Sequence, residues 1–312
     1  MIRFEHTRKL YDGAAAITDL NLHIQQGELL VLLGPSGSGK STILKMVNRM
    51  VSHDGGHIFF NDQDINNFNV QDLRRRMGYA IQTVGLFPHR TVAQNIATVP
   101  KLLGWDAHCV QARVNELLKL LALDPEPYAN RYPHQISGGQ QQRVGVARAM
   151  AANPDVLLMD EPFGALDPVT RAALQLSLKK IHRDTGKTIL FVTHDIDEAL
   201  LLATRIVLLN QGGIAQVGTP LELLQQPAND FVADFLDRAD LGIKQLSLRS
   251  IAPHIQAIEG TEPIHVIAHT ATLREAISQM ATGHVSALCV TDAAGTVLGQ
   301  LRAADLLENK HA

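Results

Sequence analysis

The run Gly34-Pro35-Ser36-Gly37-Ser38-Gly39-Lys40-Ser41 has the spacing G-x-x-x-x-G-K-[ST]. In such a run the glycines let successive backbone N–H groups turn inward onto phosphate oxygens. A helix starting near Lys40, with Thr42 in its first turn, would add the positive end of its dipole. In that chemistry Lys40 holds the β- and γ-phosphates of a nucleoside triphosphate, and the Ser41 hydroxyl ligates Mg²⁺. A second set of reactive groups, Asp160-Glu161, follows the apolar run Val156-Leu157-Leu158-Met159. Two adjacent carboxylates can divide the work. Asp160 is placed to organise Mg²⁺ through water, and Glu161 to orient or deprotonate an attacking water.

A third candidate is Ile136-Ser137-Gly138-Gly139-Gln140-Gln141-Gln142-Arg143. Ser137 is a good N-cap, and two glycines at a helix start allow close backbone approach to an anion. One chain therefore holds two phosphate-reading helix starts, which kinases and GTPases do not need.

Positioning these groups falls to a few short apolar runs. Residues 29–33 end at Gly34, 79–81 at Gln82, 156–159 at Asp160-Glu161, and 189–192 at Thr193-His194. Three of the runs are continuous rather than alternating, as expected for parallel strands buried on both faces. Each run is followed at its C-terminal end by a residue suited to phosphate or proton chemistry, and that edge of an open α/β sheet is where ligands bind. From Thr91 to about Met150 the period is helical. Val114, Leu117, Leu118 and Leu121 mark one face, and Asp124-Pro125 is expected to close that helix. Beyond the linker Arg238-Ala239-Asp240-Leu241-Gly242 the pattern reads strand–helix–strand–strand–helix, with segments at 264–267, 273–280, 286–291, 297–301 and 303–308. The turn Asp292-Ala293-Ala294-Gly295 makes the middle two strands a hairpin.

Bulk properties narrow the function classes. Of 312 residues 46% are hydrophobic and 19% charged, enough for a packed core rather than disorder. A net charge of −3 with mixed signs gives no reason to expect a nucleic-acid partner. Cys109 and Cys289 are far apart and outside any CxxC pattern, so neither a zinc site nor a disulfide framework is expected. The N-terminus lacks a signal-peptide core. The apolar runs fall well short of the roughly 20 residues that span a bilayer, so any membrane spans would have to come from other chains.

Segment 136–140 resembles the ABC signature, Leu-Ser-Gly-Gly-Gln, with Ile136 in place of leucine. That resemblance covers residues 1–236 and implies an ATP- and Mg²⁺-dependent ATPase. Its fold would be α/β of the phosphate-loop NTPase type, a mostly parallel sheet core plus a helical subdomain. It also implies that Tyr11 stacks on adenine and that Gln82 senses Mg²⁺ and the attacking water. Asp167 becomes the loop aspartate after the acidic pair, and His194 touches the γ-phosphate. ABC ATPases work as head-to-tail dimers, so Ser137, Gly138, Gly139 and Gln140 of one copy would face the phosphates held by Lys40 of a second copy.

Within that family, the stretches 74–82, 85–89, 91–97, 195–199 and 228–232 resemble the osmoprotectant importers, which take up glycine betaine, choline or carnitine. This resemblance implies permease subunits, a periplasmic or extracellular solute-binding protein, and a peripheral place on the cytoplasmic face of a bacterial plasma membrane. ATPases of other importers, of exporters, and soluble ABC proteins are the rival readings. Gly85-Leu86-Phe87-Pro88 forms an apolar turn, which in ABC proteins lies beside the groove for a helix of the membrane subunit; local core filling is the alternative. Residues 237–312 resemble a linker and one CBS motif, a small α+β domain, with Thr272-Leu273-Arg274-Glu275-Ala276 opening its first helix and Asp305-Leu306-Leu307 in its second. Arg302 stands where adenosine-binding members carry Ser or Thr, which speaks against nucleotide sensing through Asp305 and favours dimerisation, with pairing across the dimer, or a loosely inherited fold.

Overall fold

The computed structural model of the protein describes residues 1–81, 85–164, 166–258 and 265–306. They form two compact units, Met1–Pro220 and Leu221–Ala312. The change of character read near residue 237 falls inside the second.

The first unit is built on ten strands: β1 Ile2–Tyr11, β2 Ala14–Ile24, β3 Leu29–Leu33, β4 Gly55–Phe60, β5 Gln63–Asp64, β6 Met77–Ala80, β7 Val156–Asp160, β8 Thr188–Val192, β9 Arg205–Asn210 and β10 Gly213–Gly218. Two sheets result. One is antiparallel in the order β2-β1-β4-β5, and the other has the order β10-β9-β3-β8-β7-β6. In the second sheet β9, β3, β8, β7 and β6 are mutually parallel, and only β10 runs against its neighbour.

Every residue of β3, β7 and β8 is buried, as their unbroken apolar sequences require. Leu30 and Leu32 of β3 join Leu158 of β7 and Leu190 and Val192 of β8 in a core shared with Ile2, Phe4, Ile17, Leu20 and Ile24 of the antiparallel sheet. Helix Lys40–Val47 contributes Ile43, Leu44, Met46 and Val47 to that core, so the helix after the phosphate loop is held by both sheets. The antiparallel sheet has no counterpart in the sequence reading. Its strands are buried on one side only and carry several register shifts, so no clean alternation marks them.

The helical region contains Ala107–Leu120, which buries Val110, Val114, Leu117 and Leu118. This helix stops at Leu120, and Asp124-Pro125 does not close it but opens the next one. The Asp124 carboxylate accepts from the Glu126 N–H at 3.3 Å, with Pro125 at the first helical position. Helix Gly138–Met150 runs down onto β6, and a Cβ at Gly78 would lie 2.1 Å from the Ala149 carbonyl oxygen.

In the second unit the stretch expected as a linker is ordered. Arg238 bridges Asp230 at 2.6 Å and Asp234 at 2.8 Å, and helix Leu241–Leu246 follows at once. Strands β11 Val266–Ala268, β12 Ala287–Thr291 and β13 Val297–Arg302 form one sheet, with β11 parallel and β13 antiparallel to β12. Helix Leu273–Gly283 starts with a capping box between Thr272 and Glu275 and packs Leu273, Ala276 and Met280 against Leu288, Val290 and Leu301. The last expected helix is a 3₁₀ turn, Ala303–Leu306, among the described residues. Ile264 and residues 307–308 of the expected segments lie outside them.

Candidate functional site

The C-terminal ends of β3, β7 and β8 meet at one edge of the parallel sheet. A cleft of about 640 Å³ opens there, lined by Tyr11, Ala16, the loop residues Ser36 to Thr42, Glu161 and His194. Its size suits a nucleotide-sized ligand.

Two glycines of the loop are fixed by space as well as by conformation. A Cβ at Gly34 (φ 146°) would sit 2.3 Å from the Leu209 carbonyl oxygen. At Gly39 (φ 101°) it would sit 2.4 Å from the Ile17 side chain, so the antiparallel sheet presses directly on the loop. Gly39 is also the left-handed N-cap from which helix Lys40–Val47 starts. Lys40 is buried and folds back to donate to the carbonyls of Gly34 (2.6 Å) and Pro35 (2.8 Å). Burial lowers its pKa, opposed by the nearby Glu161 and Asp160 carboxylates.

The Ser41 hydroxyl donates to Asp160 Oδ1 at 2.8 Å, which joins the loop to the end of β7. Burial pushes the Asp160 carboxyl above its usual range, while the bond from Ser41 and the charges of Lys45 and Lys40 pull the other way. Glu161, one residue on, has a left-handed backbone (φ 46°), an unfavourable conformation for a side chain of its kind. Its N–H donates to the Val192 carbonyl at 3.0 Å, which locks the turn to β8. Glu161 Oε1 then lies 3.0 Å from His194 Nδ1, and the ring nitrogen is the donor because a carboxylate only accepts.

ATP and Mg²⁺ fit these groups. The Ser38 hydroxyl is buried with no hydrogen-bond partner, as an atom waiting for a phosphate oxygen would be. Ser41 and Asp160 form a hard-oxygen pair of the kind Mg²⁺ takes alongside substrate phosphates. Among the described residues no cluster of three or more His, Cys, Asp or Glu could hold a metal alone, so phosphates would complete the shell.

Other expected site residues stand apart from this cleft. Ser137 caps helix Gly138–Met150 in a capping box, its Oγ accepting from Gln140 N at 3.3 Å and Gln140 Oε1 accepting from Ser137 N at 2.9 Å. Ser137 and Gly138 are exposed, and none of residues 137–140 lines the cleft. Asp167 is the exposed N-cap of helix Pro168–Thr185 and accepts from Thr170 N at 3.0 Å; that bond lowers its pKa. Gln82 lies outside the described residues. Phe87 is 39% exposed, with the Arg90 guanidinium 4.8 Å from its ring, so core filling does not account for it.

Two residues that touch this region went unassigned in the sequence. Gln142, buried in helix Gly138–Met150, donates to the Glu161 carbonyl at 3.4 Å. Asn95, fully buried, accepts from Phe87 N (2.8 Å) and donates to the carbonyls of Phe87, Arg90 and Thr91. The signal for both was a polar residue on an otherwise apolar helix face.

A phosphate loop at a parallel sheet edge, an acidic pair beside it, a histidine against the second carboxylate and a separate Ser-Gly-Gly-Gln helix start define an ATP-binding cassette. Comparison with known proteins agrees. The ABC transporter family matches residues 17–164 and the CBS domain family residues 255–312. The chain is 53% identical to the glycine betaine uptake system ATP-binding protein YehX of Escherichia coli K12, over 98% of this chain and 99% of that protein. It is 46% identical to the glycine betaine/carnitine/choline transport ATP-binding protein OpuCA of Bacillus subtilis, over 96% of this chain and 77% of that one. The solved dimer of an ATP-binding cassette bound to ADP and Pi superposes with a TM-score of 0.65 at 33% identity, covering 70% of this chain and 99% of the other. The chain belongs to the ATP-binding subunits of ABC transporters, with a CBS domain at its C-terminal end. It is an ATPase of a transporter. Among the described residues no helix is long and apolar enough to cross a membrane.

Proposed function

We propose that this subunit energises uptake of a quaternary-ammonium osmoprotectant such as glycine betaine, choline or carnitine. The observation that carries the solute class is the extent of the similarity. The relative named for glycine betaine uptake aligns through the cassette and the CBS segment together. A sulfate/thiosulfate import ATP-binding protein of Agrobacterium fabrum is nearly as similar, at 51% identity, but over only 77% of this chain. Likeness in the cassette alone therefore does not discriminate solutes. The test is uptake of labelled glycine betaine, choline and carnitine, with sulfate as control, in cells that carry or lack this chain. Sulfate uptake that depends on the chain, with no osmoprotectant uptake, would overturn the assignment.

At the site, Lys40 and the N–H groups of the loop hold the β- and γ-phosphates, and Ser41 and Asp160 serve Mg²⁺, which supplies charge neutralisation there. Glu161 orients the attacking water and accepts its proton; His194, bonded to Glu161, faces the γ-phosphate. Gln82 senses Mg²⁺ and the attacking water, Asp167 is the loop aspartate after the acidic pair, and Tyr11 supports the adenine. Two copies assemble head to tail, and Ser137, Gly138, Gly139 and Gln140 of each complete the other's site. Exposure of that helix start, away from its own cleft, supports this arrangement. The dimer works with permease subunits on the cytoplasmic face of the membrane, fed by a solute-binding protein. Residues 237–312 act as a regulatory or dimerising module.

A further inference from the structure

Tyr11, which lines the cleft from the antiparallel sheet, sits where that sheet runs out. The pairing of β1 with β4 ends at Arg8 opposite Gly55, so Lys9, Leu10 and Tyr11 run on paired only with β2. Tyr11 then pairs with Ala14 across the turn Asp12-Gly13, and residues 11–15 are all exposed. A ring at such a tip has to be held by something other than core packing.

Asp54, the residue before β4, takes over where the ladder stops. Its N–H donates to the Arg8 carbonyl at 2.8 Å, its Oδ2 accepts from Leu10 N at 2.7 Å, and its Oδ1 accepts from Lys9 Nζ at 3.1 Å. The bond from Leu10 N, and after it that from Lys9, lowers the Asp54 pKa. Lys9 itself is 8% exposed. Lysine is rarely so buried, because its ammonium loses hydration there. Pairing with Asp54 does not require the burial, since that carboxylate is exposed and could be met from solvent. What the position adds is the neighbouring ring. Lys9 Nζ lies over the Tyr11 ring, 5.3 Å from its centroid, inside the ~6 Å range in which a cation is drawn to an aromatic face. Neither Lys9 nor Asp54 is among the residues that line the cleft, so their effect on a nucleotide would pass through Tyr11.

We propose that Lys9 is a positioning residue for Tyr11: its ammonium, anchored by Asp54, holds the phenol ring in place at the base end of the cleft. The proposal rests on the adenine-supporting role given to Tyr11 above. The test measures dissociation constants of ATP and of inorganic tripolyphosphate, which has the phosphates without the base, on the full chain. Lys9→Met is expected to weaken ATP binding about threefold to tenfold, the range of a partly desolvated cation–ring contact, and to leave tripolyphosphate binding within about 1.5-fold. A merely structural role would move both. Lys9→Arg keeps a cation over the ring and is expected to stay within about twofold of wild type for ATP. In a Tyr11→Ala background, Lys9→Met should change ATP affinity by less than about 1.5-fold, because residues acting through one another are non-additive. Lys9→Gln, neutral but still able to donate to Asp54, enters the same cycle if Lys9→Met fails to fold. Wild-type ATP affinity in both neutral variants, an equal loss for tripolyphosphate, or an undiminished loss in the Tyr11→Ala background overturns the proposal. Wild-type ATP affinity in Tyr11→Ala alone would instead remove the reading of the base site, and the proposal with it.

Discussion

The cleft at the sheet edge and the Ser137 helix start are the two phosphate-reading devices of the proposed function, and the two differ in how far this chain completes them. In the cleft, Lys40 is buried, Ser41 is bonded to Asp160, and Glu161 is fixed by β8 and by His194. At residues 137–140 the side chains of Ser137 and Gln140 satisfy each other's N–H groups, and the glycine backbone beside them faces solvent. The first is an interior, assembled by strands from distant parts of the sequence. The second is a prepared surface. On the proposed head-to-tail arrangement, turnover would depend on an encounter between chains, whereas ATP binding alone would need one.

The largest effect expected from breaking this division is at Glu161. Glu161→Gln should bind ATP normally and lose hydrolysis by about 10²–10⁴-fold, the usual worth of a positioned general base. It should also accumulate a dimer in size-exclusion chromatography with ATP. Lys40→Ala should instead weaken ATP binding about tenfold to a hundredfold, as expected when charge-assisted bonds are lost. Equal loss of nucleotide affinity in the two variants would refute separate roles.

Mixing comes next. Lys40→Ala and Ser137→Arg chains should each be inactive alone. A 1:1 mixture should regain about a quarter of wild-type turnover, because half the dimers then carry one intact site, if pairing is isologous and random. Turnover per chain that does not vary with concentration would rule out the shared site.

Phe87, 39% exposed and bonded through its backbone to Asn95, tests whether its surface serves a partner. Phe87→Ala should leave basal ATP hydrolysis of the isolated subunit within about threefold of wild type, a barrier change below ~1 kcal/mol. Transport by the assembled complex should fall much further. Unfolding or loss of basal activity in the isolated variant would return Phe87 to the core.

The smallest effect is electrostatic. Asp160 has a raised folded-state pKa, so its burial is cheapest when it is protonated, and the chain loses that advantage as pH rises through the folded pKa. Without nucleotide or Mg²⁺, Asp160→Asn should melt with wild type below the reference value of 3.8 and above it at higher pH. Thermal melts across that window check the sign, and a gap that narrows with rising pH would contradict it.

The parallel-sheet side of the cleft was legible in the sequence because β3, β7 and β8 are buried on both faces and lead directly into its polar residues. Continuous runs such as Leu29 to Leu33 announce their environment, and Gly34 or Asp160 marks the edge. Connections formed only by folding were not legible. Gln142 reaches the Glu161 backbone, and Gln175 meets Glu198 across 23 residues; a polar residue on a helix face does not say which distant partner it will find. The antiparallel sheet was missed for a related reason, since bulges between Phe4 and Leu10 break the period that would have exposed it. At Asp124-Pro125 the residue types were read as a stop when they are equally a start, and only the bond from Glu126 N decides between them.

Tyr11 ends β1 and lines the cleft from the antiparallel sheet, while Lys40 and Glu161 line it from the parallel one. A nucleotide held at its base by the first and at its phosphates by the second, as proposed, would be a tie rod between the two sheets. Its worth to the fold is then mechanical as well as mass-action. At a hundred times its dissociation constant it adds about 2.7 kcal/mol, and it does so by forbidding the layers to part independently. Amide exchange in β1 and β2 should therefore slow on ATP binding as much as exchange near the phosphate loop, although those strands carry none of the catalytic chemistry.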